Sequence, residues 1–348
     1  MNTQCLLSIC IATKNRANFI RETLNSLYEQ NTVLGRYEIV ILDSSTNTDT
    51  FEVIDSLNNN LIPIKYIANT KLNLDEGYDA AVMGSNGTYC WLLPDDDLLF
   101  DNALSIINSY LSLNYDLILL NLQCYNKEMN IDLGQKLHNS KCDLFYTENN
   151  RDLFLMEMGI LLSYIGSVII KKSIWVAKSR EKYFGTWFVH VGVILDSDLI
   201  KNIVFINKPL IKYRSGNSSW TDKSFEIWYV KWPKLIWSFS KFGHDAKNLI
   251  GKKRSWDNLL KLIKSRAMGE FNYNTYKTYI CEDKLNPFVK YTTLLISIVP
   301  KLILNTFLIV YCSLFKRKNL YTIYNLIMSS PNKRFSISLA RLFFQKFR

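Results

Sequence analysis

The stretch TYCWLLPDDDLLF, residues 88–100, places three consecutive carboxylates directly after an apolar run of the length of a buried β-strand. Three adjacent like charges repel one another, and no basic residue close by in the sequence offsets them. An isolated acidic triplet is most often a solvated turn. At the carboxyl end of a strand it is also a candidate cation site, because carboxylates bind hard divalent ions and substrate phosphates complete the coordination.

The first 125 residues alternate the patterns of strands and helices. Helical spacing separates the short apolar runs, and Gly87 is expected to end the helix that starts at residue 75. The polar segment 126–150 is expected to be a loop or an excursion from the fold. This alternation predicts an α/β fold with an open, mostly parallel sheet flanked by helices. The apolar runs that predict its first strands are residues 6–12, 37–45, 62–69 and 88–94.

Polar clusters follow three of these predicted strands. They are TKNR at residues 13–16, Asp43, and the triplet Asp95, Asp96 and Asp97. In open α/β sheets, ligands bind beyond the carboxyl ends of the strands. Three polar clusters at one edge of a sheet are much less expected by chance than one. The pattern therefore favours a functional site over a solvated turn.

Several kinds of active site are excluded by their missing motifs. The sequence contains no G-x-x-x-x-G-K-[ST] phosphate loop, no G-x-G-x-x-G after the first strand and no G-x-S-x-G elbow. Its seven cysteines form no C-x-x-C pair, which argues against a zinc site or a disulfide scaffold and suits a reducing compartment. An acidic metal site that holds a diphosphate remains, with the ion acting as Lewis acid and template.

The charge is unevenly distributed along the chain. Residues 1–230 carry 20 Lys and Arg against 26 Asp and Glu, a net charge of −6, whereas residues 231–348 carry 22 against 5, a net charge of +17. A basic second half predicts an anionic partner. We expect lipid headgroups and no nucleic acid, because no recognised nucleic-acid-binding motif is present.

A long apolar run occupies residues 291–315 and is followed by Lys-Arg-Lys. Its length would span a bilayer, but Pro300 and Lys301 lie near its middle, and a charge at the bilayer centre costs roughly 3 kcal/mol. Two shorter helices lying in the membrane interface avoid that cost and are favoured. One spanning helix and an ordinary buried helix pair remain the alternatives.

Three ordered segments resemble the opening motifs of family-two glycosyltransferases with a GT-A fold. They are LSICIATKNRANFIRETLNSL (7–27), YEIVILDSSTNTD (37–49) and GTYCWLLPDDDLL (87–99). The resemblance covers residues 6–125 well and continues more loosely to about 220. DEGYDAAV (75–82), CWLLPDDD (90–97) and KYRSGNSSWTD (212–222) are most similar to abequosyltransferase-type enzymes of O-antigen assembly.

The resemblance implies a glycosyltransferase that moves a sugar, such as a dideoxyhexose, from a nucleoside diphosphate to a hydroxyl of a lipid-linked oligosaccharide. This would serve O-antigen or other surface polysaccharide assembly. Residues 1–225 would form the GT-A nucleotide-sugar-binding and catalytic domain. Residues 226–348 would form a helical, basic, membrane-associating region. The short apolar run at the N-terminus lacks the basic start of a signal peptide, so we expect a peripheral or monotopic protein on the cytoplasmic face of the inner membrane.

The same resemblance implies roles for residues that would bind the donor. The TKNR segment would border the nucleobase, Asp43 would bind the base or ribose, and the start of the helix at residue 75 would line the nucleotide pocket. A simple helix cap is the alternative at that helix start. Arg214 is a candidate phosphate partner because Arg offers paired donors, with a surface arginine as the alternative. The predicted donor-binding residues are Thr13, Lys14, Asn15, Arg16, Asp43, Asp75, Gly77, Asp95, Asp96 and Arg214.

The acidic triplet matches the D-x-D region of the family. Asp95 and Asp97 have the spacing of the motif and are the predicted ligands of a divalent metal, Mn²⁺ or Mg²⁺, with Asp97 essential for catalysis. Many relatives have an acid where this chain has Pro94, and that difference shifts the register by one residue. Which of the three carboxylates contacts the metal therefore stays open at this point.

Many inverting relatives also carry a Glu-Asp pair whose Asp is the general base. The comparable segment here is KYFGTWFVHVGVIL (182–195), with His190 near the position of the acid. Histidine is a competent base near neutral pH, and a packed histidine is the equally weighted alternative. Trp187 and Trp220 are candidates for stacking on the acceptor sugar, with aromatic core residues as the alternative.

Two other kinds of protein remain possible from the sequence. A sugar-phosphate nucleotidyltransferase shares a similar sheet and acidic site. A catalytically silent nucleotide-sugar-binding subunit would explain Pro94 and the missing Glu-Asp pair.

Overall fold

The chain forms two compact units in the computed structural model. The first comprises residues 1–123, 136–213 and 239–250, and the second comprises residues 124–135, 214–238 and 251–348. The predicted functional division at residues 225 and 226 stays a prediction. The residues that the structure describes are 5–30, 36–57, 62–217, 221–282, 286–317 and 319–344.

Within these described ranges, ten strands form one sheet, in the order β3-β2-β1-β4-β9-β6-β10-β5, with β7 paired to β6 and β8 paired to β10. The strands β1 to β4 form its parallel part, because β1 pairs in parallel with β2 and β4, and β2 with β3. The strands are β1 Leu7–Thr13, β2 Tyr37–Asp43, β3 Ile64–Ala68, β4 Tyr89–Leu92, β5 Leu98–Leu99, β6 Leu117–Tyr125, β7 Asp132–Lys136, β8 Leu144–Thr147, β9 Val168–Lys171 and β10 Asn202–Arg214.

The α/β architecture predicted from the sequence is confirmed, and all four of the first predicted strands are present. β1, β2 and β4 are buried along their whole length, which explains their continuous apolar sequences. Of the two interpretations of segment 126–150, the loop is wrong, because the segment contains β7 and β8. β7 lacks an apolar run of its own, the apolar run of β8 is only three residues long, and both strands pair with neighbours that the sequence pattern does not reveal.

Helices cover the sheet of the first unit. Their apolar faces point inward, as in α1, where Ile20, Leu24 and Leu27 are buried. The third helix ends at Gly84 with Ser85 as its C-cap, so Gly87 does not end it as predicted. The helices of this unit are α1 Ala17–Tyr28, α2 Asp49–Leu57, α3 Leu74–Gly84, α4 Ala103–Leu111, α5 Arg151–Met158, α6 Lys172–Val176, α7 Val189–Asp196 and α9 His244–Ile250.

The second unit is largely helical, as the C-terminal sequence predicts. A buried cluster that includes Ile309, Ile323 and Leu326 holds several of its helices together. No single described helix is long and apolar enough to cross a membrane, although α12 and α13, bent by 96° at their break, pass that test as a pair. The helices are α8 Trp232–Ser238, α10 Leu259–Met268, α11 Tyr273–Tyr279, α12 Pro287–Ile298, α13 Lys301–Phe315, α14 Leu320–Ser329 and α15 Lys333–Arg341.

Gly77 brings α3 close to the sheet. A Cβ atom at this position would lie 2.9 Å from Leu42 Cδ2 and 3.3 Å from Ala12 Cβ. Because an overpacked core side chain costs about 1–3 kcal/mol, we expect Gly77→Val to lower the free energy of unfolding by that amount. Ala80→Val on the half-buried side of the same helix is the matched control. Urea unfolding that shows equal stability for the two variants would contradict this close packing.

Candidate functional site

The carboxyl ends of β1, β2 and β4 meet at one edge of the sheet. In the parallel register, Thr13 lies opposite Asp43, and Cys10 lies opposite the last residue of β4. The turn after β1 is also tied to the turn after β2, because the Asn15 backbone N–H donates to Ser45 Oγ at 2.7 Å. The Asn15 side chain accepts from the backbone N–H of Thr46 at 2.9 Å. Two of the predicted polar clusters are therefore joined directly.

The acidic triplet belongs to the same edge. Thr13 Oγ1 donates to Asp95 Oδ2 at 2.7 Å. The Arg16 guanidinium lies 3.3 Å from Asp95 Oδ1 and 2.5 Å from Asp96 Oδ2. Asp97 is only 1% exposed and accepts a 2.5 Å hydrogen bond from the Tyr164 hydroxyl. The triplet is therefore built into the fold and is not a solvated turn.

The charges of this cluster shift several pKa values. Burial, and then the charge of Asp96, raise the pKa of Asp95 to about 7, against the opposing effects of Arg16 and Thr13. Burial lowers the pKa of Arg16, but the carboxylates of Asp95 and Asp96 outweigh it and raise that pKa above its usual value. Burial and the charge of Asp97 raise the pKa of Tyr164, which keeps its hydroxyl protonated as a donor. Arg16 thus stays charged as the counter-ion of the triplet.

Three residues that the sequence did not single out hold the triplet in place. Thr23 Oγ1 on α1 is positioned to donate to the backbone carbonyls of Asp95 and Asp97, at 3.0 and 2.9 Å. The Tyr78 hydroxyl on α3 donates to the carbonyl of Leu93 at 3.2 Å, and Tyr164 holds the Asp97 side chain. The sequence could have indicated Thr23, because it is a polar residue on the mostly apolar, buried face of α1. Nothing in the sequence indicated Tyr164.

Asp43 is buried and already oriented by its neighbours. Its Oδ2 accepts from the Tyr66 hydroxyl and its Oδ1 from the backbone N–H of Ser45, both at 2.8 Å. These bonds hold the carboxylate at the edge of the sheet, beside Thr13. Lys14, in the same predicted donor-binding group, is exposed at this edge.

Asp75 binds backbone rather than capping its own helix. Asn73 and Glu76 form the capping box of α3. The buried Asp75 carboxylate instead accepts from the backbone N–H groups of Trp187 at 2.8 Å and Val189 at 3.1 Å. It therefore anchors the segment that leads into α7. Trp187 itself is half-buried.

Two predicted site residues, Arg214 and Trp220, are not among the described residues of the first unit. Arg214 belongs to the second unit, where it is buried and its Nη1 donates to the carbonyl of Lys127 at 2.6 Å. It is therefore not the surface arginine that was its alternative, and a role in phosphate binding stays a prediction. Trp220 lies outside the residues that the structure describes.

His190 is packed in the interior. Its ring is 1% exposed, and its Nε2 lies 2.8 Å from the carbonyl of Leu162, to which it donates. Its Nδ1 has no hydrogen-bond partner among the described residues. Burial lowers its pKa from 6.5 to about 4, so the ring is neutral at physiological pH. This geometry favours a packed histidine over the predicted general base, because a substrate hydroxyl has no open path to either nitrogen.

The donor chemistry of the triplet fits a hard divalent ion. All its side-chain ligand atoms are carboxylate oxygens, and Asp96, with a side chain 16% exposed, is the most accessible of the three. Among the described residues, no three His, Cys, Asp or Glu side chains converge as a complete ligand set. An ion such as Mg²⁺ is commonly held by one or two carboxylates together with substrate phosphates and water, so a complete protein ligand set is not required for such an ion.

The fold is similar to those of known glycosyltransferases. Residues 1–349 of S. aureus TarS superpose with a TM-score of 0.53, covering 92% of this chain and 90% of that one at 15% identity. A mannosyltransferase, PcManGT from Pyrobaculum calidifontis, superposes with a TM-score of 0.51, covering 93% and 85% at 13% identity. At these identities the likeness supports the fold alone.

The sequence comparisons establish the family. Residues 8–163 match the glycosyl transferase family 2 domain. Abequosyltransferase RfbV of Salmonella typhimurium strain LT2 is 33% identical over 275 residues, which cover 73% of this chain and 80% of that protein. These matches favour a transferase over the nucleotidyltransferase and the silent subunit. The chain belongs to glycosyltransferase family 2 and is a glycosyltransferase that resembles abequosyltransferase, as its sequence motifs predicted.

Proposed function

We propose that the chain transfers a sugar, of the dideoxyhexose kind, from a nucleoside diphosphate to a hydroxyl of a lipid-linked oligosaccharide in O-antigen or other surface polysaccharide assembly. The similarity to an abequosyltransferase supports this sugar class. The structural relatives include TarS in complex with UDP-GlcNAc, at a TM-score of 0.51, and PcManGT in complex with GDP-Man and Mn²⁺. A nucleotide-sugar donor is therefore the expected first substrate.

One observation carries the proposal: three strand ends bring the TKNR turn, Asp43 and the acidic triplet to one edge of the sheet. In such sheets this edge binds the nucleotide. Asp43 is held in place by Tyr66 and Ser45, and in this proposal it would accept a hydrogen bond from the base or ribose. The exposed Lys14 and the charged Arg16 add positive charge next to the expected diphosphate.

The predicted metal is held by the triplet in this proposal. Asp95 and Asp97 are the ligands expected from spacing, and the accessible Asp96 joins them as a candidate. A bound Mn²⁺ or Mg²⁺ would supply Lewis-acid stabilisation of the departing diphosphate. Arg16, which pairs with Asp95 and Asp96, would neutralise the carboxylates that the ion leaves uncompensated. Tyr164 and Thr13 would keep the carboxylates in place during the reaction.

The second unit carries the proposed contact with the membrane surface. One face of α12 and α13 packs into the unit, as Ile309 and Cys312 do, while the other face exposes large apolar side chains to solvent. Residues 286–317 contain four basic residues and no Asp or Glu. Apart from Leu302, which is also exposed on α13, the exposed residues form one stripe on each helix: Phe288, Tyr291, Leu295 and Ile298 on α12, and Ile303, Phe307, Tyr311, Leu314 and Phe315 on α13.

We call these nine side chains the outer stripe. The inner faces of the two helices are packed and include buried polar side chains such as Thr293, Ser297 and Asn305. The outer stripe is apolar instead, and a contiguous exposed apolar surface typically marks an interaction site such as a lipid surface. The flanking basic residues suit anionic headgroups, each worth about 1 kcal/mol near such a surface. We therefore propose that the bent helix pair lies in the cytoplasmic interface of the inner membrane, where a lipid-linked acceptor is within reach.

The transfer itself is tested by the release of nucleoside diphosphate from a panel of nucleotide sugars. We expect one donor to be consumed, in the presence of Mn²⁺ or Mg²⁺, only when a lipid-linked oligosaccharide is added. Asp95→Asn and Asp97→Asn should lower the rate by at least about 100-fold, the scale of losing charge stabilisation in an active site. Asn keeps the size of the side chain, so melting curves should still show a folded protein.

Asp101→Asn is the matched control, because Asp101 is exposed and lies four residues after Asp97. Its rate should equal that of the unchanged chain. If Asp97→Asn transfers sugar as fast as the unchanged chain, the metal-site proposal is wrong. If the protein instead consumes sugar phosphate and nucleoside triphosphate and transfers no sugar, the alternative function of a nucleotidyltransferase is supported.

The outer stripe is tested by vesicle binding of the double variant Ile303→Asp/Phe307→Asp, whose two side chains are 61% and 62% exposed. Burying each in lipid contributes about 1.5–3 kcal/mol, so binding to anionic vesicles should fall by at least about tenfold. Leu260→Asp is the matched control, since Leu260 is 80% exposed on α10 of the same unit. Unchanged binding of the double variant would refute the surface.

The burial of His190 makes the free energy of unfolding depend on pH. The unfolded chain takes up a proton near pH 6.5 and the folded ring only near pH 4, so acidification through this range favours unfolding. The contribution is about 3 kcal/mol, present above pH 6.5 and lost towards pH 4. In His190→Gln, the unfolding free energy measured by urea should lose this part of its pH dependence. Identical pH profiles for both proteins, or a variant without transfer activity but with an intact fold, would contradict the packed role.

A further inference from the structure

Trp187 has an unusual backbone conformation. Its φ angle is +74°, in the left-handed region that a bulky L-residue seldom adopts. Three of the other four non-glycine residues with positive φ in the described chain are asparagines, which tolerate this region. Strain of this kind persists only where the surrounding structure enforces it, and it concentrates at functional sites.

The side chain of Asp75, 112 residues earlier in the sequence, binds the backbone in this conformation. Its Oδ2 accepts from the backbone N–H of Trp187 at 2.8 Å and its Oδ1 from that of Val189 at 3.1 Å. The carboxylate is buried and lies at the N-terminal ends of both α3 and α7, whose partial positive charges favour an anion there. Asn73 already caps α3, so the Asp75 side chain is available for this contact.

Local contacts complete the restraint. The Thr186 hydroxyl accepts from the backbone N–H of Phe188 at 3.1 Å and donates to the carbonyl of Tyr183 at 2.6 Å. The Tyr183 ring covers Gly192 in α7, where a Cβ would lie 2.3 Å from Tyr183 Cγ. The turn before α7 is thus held by local contacts in addition to those of Asp75.

The anchor lies at the edge of the sheet that holds the acidic triplet. Gly77, two residues after Asp75, packs against Ala12 and Leu42, which directly precede Thr13 and Asp43. Tyr78 reaches the carbonyl of Leu93, next to the triplet. The backbone of Trp187 is therefore tied to the start of a helix that borders the proposed donor site.

We propose that Asp75 is a positioning residue for Trp187. It holds the left-handed backbone so that the indole lies near the edge of the sheet where the donor is proposed to bind. There the indole would serve as a stacking surface for the acceptor sugar. A glycine at this position would give the same turn without strain, so the strain indicates that the indole has a use. The inference rests on the proposed transfer, and it replaces the predicted role of Asp75 as a donor ligand.

The backbone part is tested by melting curves of Trp187→Gly and Trp187→Ala. Both remove the indole, and they differ only in their tolerance of positive φ. Because glycine adopts this region freely, the Gly variant should melt higher by about 2 °C or more, whereas Ala is the more stable of the two at ordinary sites. In an Asp75→Ala background the difference should shrink towards zero. A Gly variant that melts no higher than the Ala variant, or a difference that Asp75→Ala leaves unchanged, would overturn the restraint.

The functional part is tested by separate Michaelis constants for the two substrates. Asp75→Ala and Trp187→Ala should each raise the KM of the acceptor by about tenfold, with the KM of the donor changed by less than about twofold. Trp187→Phe should restore part of the loss. If Asp75→Ala does not fold, Asp75→Asn, which keeps one acceptor oxygen, takes its place.

A rise in the KM of the donor alone would overturn the inference and return Asp75 to donor binding. If the unchanged chain transfers no sugar from any donor, the proposed function fails. The melting comparison would still show whether Asp75 enforces the turn, so the two failures are distinguishable.

Discussion

The site depends on how the protein accommodates three adjacent carboxylates at a mostly buried edge of a sheet. Removing charges from water is costly unless they are paired and hydrogen-bonded. Thr13, the last residue of β1, binds Asp95, and Arg16 in the turn that follows neutralises Asp95 and Asp96. Tyr164 binds Asp97. The same contacts therefore lock the end of β1 to the end of β4, and they hold the triplet at the edge where we propose that the diphosphate binds.

The parts of the fold that follow from local sequence were predictable. β1, β2 and β4 are short apolar runs, and α1 has one apolar face, so periodicity alone identifies them. β7 was missed because its sequence, DLGQK, has no apolar alternation and its pairing with β6 is a property of the whole sheet. The early end of α3 was missed because Ser85 adopts an extended conformation as its C-cap, although Gly87 is the more usual stop signal.

The site was predictable where position along a strand determines it. Thr13, Asp43 and Asp95 come together because parallel strands end at the same edge. Contacts between distant segments were not predictable: Tyr164 is 67 residues from Asp97, and Trp187 is 112 residues from Asp75. For His190 the sequence supplied a residue type with the right chemistry, but burial, which only packing reveals, makes it a neutral interior group.

The central claim is that the acidic triplet, in the frame made by β1, β2 and β4, binds a divalent ion together with the diphosphate of the donor. Anomalous diffraction from a crystal grown with Mn²⁺ and a nucleoside diphosphate tests this most directly. The account predicts one strong Mn²⁺ peak in contact with a carboxylate of the Asp95–Asp97 triplet and with the diphosphate, and a base beside Asp43. A diphosphate bound elsewhere, with no Mn²⁺ at the triplet, would contradict it.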